Sequence, residues 1–174
     1  MKNYVLTPGP VPVPEFVMLE MAKPIIHHRT EEFEEIFHNA TEGLKKVFMT
    51  KEEVLILASS GTGAMDASIC NTLSKGDKAL VVNGGKFGER WLKICSAYGV
   101  ETEELKVEWG KAVSSDEIKN TLDNNPDIKA VLVQASETST GVEHPIESIA
   151  KITRNRDDVL LIVDGITAVG AFPV

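Results

Sequence analysis

Four short stretches hold the residues whose types and spacing can do chemistry. The first, Ser59-Ser60-Gly61-Thr62-Gly63-Ala64-Met65, lies between the apolar run Val54-Leu55-Ile56-Leu57-Ala58 and a helical segment from Asp66 to Leu73. A strand, a turn of small residues and a helix offer free backbone N–H groups to an anion at the helix N-terminus. Gly61 and Gly63 let a ligand oxygen approach the main chain, while Ser59, Ser60 and Thr62 add hydroxyl donors. The stretch suits a phosphate cradle, and it equally suits a tight strand-to-helix turn that binds nothing.

The second stretch is Asn83-Gly84-Gly85-Lys86-Phe87-Gly88. An aromatic ring in a glycine-flanked loop can stack on a flat ligand or plug core. The third is Ser136-Glu137-Thr138-Ser139-Thr140-Gly141, whose Thr138 and Ser139 can donate to a ligand oxygen or serve a turn. The fourth is Asp164, at the end of Val159-Leu160-Leu161-Ile162-Val163. A carboxylate at a desolvated strand end must be paired or hydrogen-bonded. Its partner is then a cationic ring nitrogen, a metal, or the turn at Gly165. Lys86 beside Gly85 is no Walker A lysine, because the upstream glycine is missing and Phe87 stands where Ser or Thr is needed. His27 and His28 near Glu31 and Glu32 match no zinc or iron spacing, so no metal is expected. Arg29 can meet a ligand carboxylate or a surface acid.

The elements that must position these residues follow from pattern. Residues 1–14, rich in proline, read as an extended arm, and Glu15 to Lys23 as a short helix ended by Pro24. Thr30 caps a second helix whose apolar face is Phe33, Ile36, Phe37, Ala40, Leu44, Val47 and Phe48. Strands are expected at 54–58, 79–82, 130–134 and 159–163, with a weaker one near 102–107. Helices at 63–74, 87–97, 115–125 and 146–154 separate them. Continuous apolar strands imply a mainly parallel sheet covered by helices on both faces. In such sheets the C-terminal strand ends line the ligand crevice, and all four stretches fall there.

Composition narrows the classes. A net charge of −8 over 174 residues argues against nucleic acid and against an anionic membrane surface. No apolar run is long enough to span a membrane. Cys70 and Cys95, expected in helices and buried, form no metal spacing and suit a reducing cytoplasm. A Rossmann dinucleotide site is disfavoured because Gly61-Thr62-Gly63 has Asp66 where a third glycine belongs. An anion cradle, an aromatic ring, a hydroxyl loop and a strand-end Asp suit a phosphorylated heterocycle with a basic ring nitrogen. Pyridoxal 5′-phosphate (PLP) is that molecule.

With Gly85-Lys86-Phe87-Gly88-Glu89-Arg90, Ser136 to Val142, Val163 to Gly170, Thr7-Pro8-Gly9-Pro10 and Ile26-His27-His28-Arg29 added, the chain resembles class V aminotransferases of the serine–pyruvate/alanine–glyoxylate type. The resemblance runs over essentially all of 1–174 and implies an α/β, fold-type I PLP-transferase large domain, incomplete at its C-terminus. By the same resemblance, 1–29 form an arm and short helix and 30–174 the N-terminal part of that domain. Ser60, Gly61 and Thr62 would hold the phosphate, Phe87 would stack on the ring, and Thr138 would face the ring hydroxyl side. Asp164 would pair with the pyridinium nitrogen, and Gly9 and Arg29 would lie near the substrate entrance or a partner subunit. The resemblance further implies a homodimer acting on a small amino acid, alanine or serine, and a 2-oxo acid such as glyoxylate or pyruvate. Its Schiff-base lysine is expected beyond Val174, since Lys75, Lys78, Lys86 and Lys93 stand at the wrong positions. Chain 1–174 alone is then expected to be inactive. The alternatives are a desulfurase or lyase of the same fold, or a non-catalytic cofactor-binding module.

Overall fold

The computed structural model describes residues 5–172. The chain divides into two compact units, Met1–Ile56 and Leu57–Val174. The first contains helix α1 (Glu15–Met21) and helix α2 (Glu31–Val47). The Thr30 hydroxyl accepts from Phe33 N at 3.3 Å and so caps α2 as its sequence predicts. Glu31, Glu32 and Glu34 sit in the first turn, and Lys45 and Lys46 in the last, where each sign complements the helix dipole. Neither helix buries a residue.

The apolar run 54–58 forms no strand. Among the described residues it has no ladder partner, and Leu55 is 79% exposed. Extended apolar sequence becomes a strand only when a neighbour accepts its hydrogen bonds, and local pattern cannot supply that neighbour.

The second unit starts with helix α3 (Gly61–Thr72), strand β1 (Lys78–Asn83), helix α4 (Lys86–Tyr98) and strand β2 (Glu101–Lys106). Helix α5 (Ser115–Asn124), strand β3 (Ile128–Gln134) and the short strands β4 (Ser136–Glu137) and β5 (Val142–Glu143) follow. Helix α6 (Ile146–Thr153) and strand β6 (Leu160–Asp164) complete it. The main sheet has four strands in the order β2-β1-β3-β6, all parallel, while β4 and β5 pair antiparallel.

Side-chain alternation assigns the two faces. Ala79, Val81, Ala130 and Leu132 pack with Met65, Ile69, Trp91, Ile94 and Cys95 of α3 and α4. Leu80, Val82, Val131 and Val133 pack with Ile118, Leu122 and Ile149 of α5 and α6. Both faces of β1 and β3 are therefore dry, which is why these strands read as unbroken apolar runs. Each large side chain buried here contributes about 1.5–3 kcal/mol. The edge strand β2, Glu-Thr-Glu-Glu-Leu-Lys, is polar and gave only a weak sequence signal. Gly99 closes α4 in the left-handed region at φ 69°. Ser114 and Glu117 have capping-box spacing at the start of α5, and Ser114 N donates to Glu117 Oε2 at 3.3 Å.

The cysteines differ from expectation in one respect. Cys95 is buried, and burial pushes its thiol up to about 11. Cys70 is exposed on the outer side of α3. It lies within the helix rather than on a loop, its Sγ accepting from Asn71 at 3.3 Å and donating to Ala67 O at 3.5 Å.

Candidate functional site

Helices α3 and α4 both begin at the C-terminal edge of the sheet, and their N-termini are dressed differently. Helix α4 is plugged. Lys86 N donates to Ser139 Oγ at 3.0 Å, and Phe87 N and Gly88 N both donate to Glu137 Oε2 at 3.1 Å. The Ser139 hydroxyl donates to the other Glu137 oxygen at 2.6 Å. The fully buried Glu137 is thus solvated by protein donors at the positive end of a helix dipole. A Cβ on Gly85 would lie 2.6 Å from the Glu137 carboxyl carbon, so only glycine admits this carboxylate.

Helix α3 is open. Its cap residue Ser60 makes no side-chain capping bond, and Gly61 N and Thr62 N donate to no described residue. Gly63 N and Ala64 N turn back onto Ser60 O at 2.8 and 3.3 Å. Two N–H groups without an acceptor, with the helix dipole behind them, are an arrangement that can receive an anion. Its walls are close. A Cβ on Gly61 would come within 2.5 Å of Ile166 Cδ1, and one on Gly63 would collide with the Ser59 hydroxyl.

The other sequence-derived residues surround this opening. Phe87 lies in the first turn of α4 rather than in a loop, its ring half-buried under the Arg90 guanidinium at 4.8 Å. Arg90 also donates to Thr62 Oγ1 at 2.9 Å, which joins α4 to the open end of α3. Asp164 is the last residue of β6 and accepts from Ile166 N at 3.1 Å. Burial raises the pKa of its carboxyl; the Ile166 bond opposes that, the Glu137 charge adds to it, and the Arg90 charge opposes it. Thr138 is half-buried beside the Glu137 anchor. Ser60 is exposed at the mouth.

Gly9 and Arg29 lie in the first unit, both exposed, with Arg29 N donating to His27 Nδ1 at 3.1 Å. Lys86 pairs with Glu89 at 3.0 Å and lies over the Trp109 ring, while Lys78 bonds Asn125 at the opposite end of β1.

Glu137 and Arg90 were missed as individuals by sequence reasoning, although both lie in stretches it singled out. A lone acid among hydroxyls after a buried strand is the only trace Glu137 leaves. The strand ends also carry buried polar atoms without hydrogen-bond partners among the described residues. These are Asn83 Oδ1, both amide atoms of Gln134, His144 Nε2 and Thr167 Oγ1. The His144 Nδ1 accepts from Val113 N at 3.1 Å, and burial lowers its pKa against the opposing charge of Glu137. An open helix N-terminus, a ring, hydroxyls and a partly desolvated carboxylate on one edge fit a flat, phosphorylated, basic heterocycle.

Comparison with known proteins gives the same direction. The family model described as aminotransferase class-V matches residues 15–174. The soluble hydrogenase small subunit of Synechococcus sp. is 46% identical over 99% of this chain and 46% of that protein. Serine–glyoxylate aminotransferase of Methylorubrum extorquens is 34% identical over 99% of this chain and 44% of that protein. The crystal structure of a subgroup IV aspartate aminotransferase from Thermus thermophilus superposes with a TM-score of 0.91 at 32% identity, covering 99% of this chain and 48% of that one. The chain spans under half the length of the curated relatives it matches.

Proposed function

The chain belongs to the class-V aminotransferase family, and from that premise we propose that it holds pyridoxal 5′-phosphate for the transfer of an amino group. The donor in this reading is a small amino acid, alanine or serine, and the acceptor a 2-oxo acid such as glyoxylate or pyruvate. The similarity to a serine–glyoxylate enzyme supports that choice. One observation carries the proposal. Of the neighbouring N-termini of α3 and α4, α4 is filled by the protein's own carboxylate and α3 is left open.

The residues divide the work. Gly61 N and Thr62 N, with the hydroxyls of Ser60 and Thr62, bind the phosphate. Phe87 covers one ring face and keeps water off it. Thr138 donates toward the ring hydroxyl side. Asp164 holds a proton on the ring nitrogen, and the resulting ion pair offsets the desolvation that raises its own pKa. When bound, the cofactor supplies an electron sink for charge left at the amino acid Cα. The whole enzyme in this reading is a cytoplasmic homodimer, and among the described residues no helix is long and apolar enough to cross a membrane.

Absorbance titration with pyridoxal 5′-phosphate, on the complete polypeptide that contains these residues, tests the reading. Saturable uptake, lost in Asp164→Ala and Thr62→Val together, is the expected result. Uptake that the double variant leaves unchanged would place the cofactor elsewhere, and no uptake at all would end the proposal.

A further inference from the structure

Arg90 sits one turn into α4, half-buried, and its guanidinium touches two residues of the open site. It donates to Thr62 Oγ1 at 2.9 Å and lies 4.8 Å from the centre of the Phe87 ring. Among the described residues of its unit no carboxylate lies within ion-pair distance of it. The neighbouring acid on α4, Glu89, is taken by Lys86. A half-buried guanidinium that makes no direct ion pair, though its charge reaches Asp164, and is spent instead on a hydroxyl and a ring beside an unplugged helix N-terminus is unusual for a surface arginine.

We propose that Arg90 is a positioning residue that fixes the Thr62 hydroxyl and the Phe87 ring at one spacing, so that a phosphate and the aromatic ring it belongs to are received together. The proposal rests on the cofactor reading above. Its geometry starts at Glu137, which anchors the first turn of α4 and so fixes the base from which Arg90 reaches α3. By accepting from Arg90, the Thr62 oxygen commits a lone pair and keeps its own proton free to donate to a phosphate oxygen. The flat guanidinium face simultaneously covers the Phe87 ring and limits its rotation. Lysine keeps the charge but has neither the fork nor the flat face. Glutamine keeps a donor but has no charge.

Arg90→Lys and Arg90→Gln in the complete polypeptide test this with two readouts. In the cofactor-free protein, amide hydrogen exchange across Gly63 to Met65 should quicken roughly tenfold in both variants while Leu80 to Val82 stays protected. In the loaded protein, both variants should bind pyridoxal 5′-phosphate roughly tenfold more weakly. The visible circular dichroism of the bound cofactor, which reports how its ring is held, should shrink in both. Arg90→Lys matching wild type in exchange and dichroism would overturn the proposal, because charge alone would then suffice. If wild type takes up no cofactor, the functional reading fails, and the exchange measurement still decides whether Arg90 holds the start of α3.

Discussion

The starts of α3 and α4 are chemically alike and structurally opposite. Both are glycine-containing turns at the C-terminal edge of one parallel sheet, and both end in a helix dipole directed at that edge. At α4 the buried Glu137 and the Ser139 hydroxyl accept every early N–H, leaving no room for a ligand. At α3 the first two N–H groups face outward without a described acceptor. The fold plugs one helix N-terminus with its own carboxylate and leaves the neighbouring one open, so only the second has donors to offer a ligand. Small-residue content alone does not make that distinction.

Removing the plug should have the largest effect. Glu137→Ala leaves Phe87 N, Gly88 N and the Ser139 hydroxyl without their acceptor, and should cost about 3 kcal/mol in denaturant unfolding. A loss below about 0.5 kcal/mol would show that α4 does not depend on it. Installing a plug is the converse. Ser60→Asp places a carboxylate at the cap of α3, stabilises that helix by about 1 kcal/mol, and should weaken pyridoxal 5′-phosphate binding roughly a hundredfold through like-charge competition. Tighter binding in that variant would contradict an anion site there.

Asp164→Asn alters the carboxylate beside the open end, and its effect depends on pH. The folded carboxyl has a pKa raised above 3.8 by burial, so the native state holds its proton longer than the unfolded chain does. Stability is therefore lost as pH rises from 3.8 through the raised value. The Asn variant escapes that loss. Without cofactor it should be more stable than wild type at pH 7, with the difference vanishing below pH 3.8. With cofactor the order should reverse. A thermal melting series across pH, with and without cofactor, checks both signs.

The smallest effect is expected behind the plugged end, where His144 is buried near Gly84. Its folded pKa is lowered from 6.5 chiefly by burial, so the unfolded chain binds the extra proton first. Stability is fully present above pH 6.5 and falls as pH drops toward the lowered value. Asn at this position presents an oxygen near the place of Nδ1 and should flatten that slope. An unchanged slope would assign the acid sensitivity to another group.

Much of the frame was legible from residues close in sequence. The runs at β1, β3 and β6, the Thr30 cap, the Ser114–Glu117 box and the Gly99 terminus each depend on neighbours within a few positions. The run 54–58 was misread because a strand needs a distant partner, and Cys70 because the face it occupies on α3 is set by the sheet beneath. Phe87 was read both as a loop ring and as the start of a helix over 87–97, and the structure supports the second.

The sequence by itself determined the alternation of helices and strands from residue 61 to 164 and the edge on which the polar stretches gather. Those properties follow from short-range backbone preference and from hydrophobic period, which act along the chain. Only the tertiary structure decided which helix end is open, because Glu137 and Ser139 reach Phe87 and Lys86 across some fifty residues of sequence. The link from Arg90 to Thr62 spans 28 residues. Hydrogen bonds of that range are set by strand register and helix packing, and no local pattern encodes them.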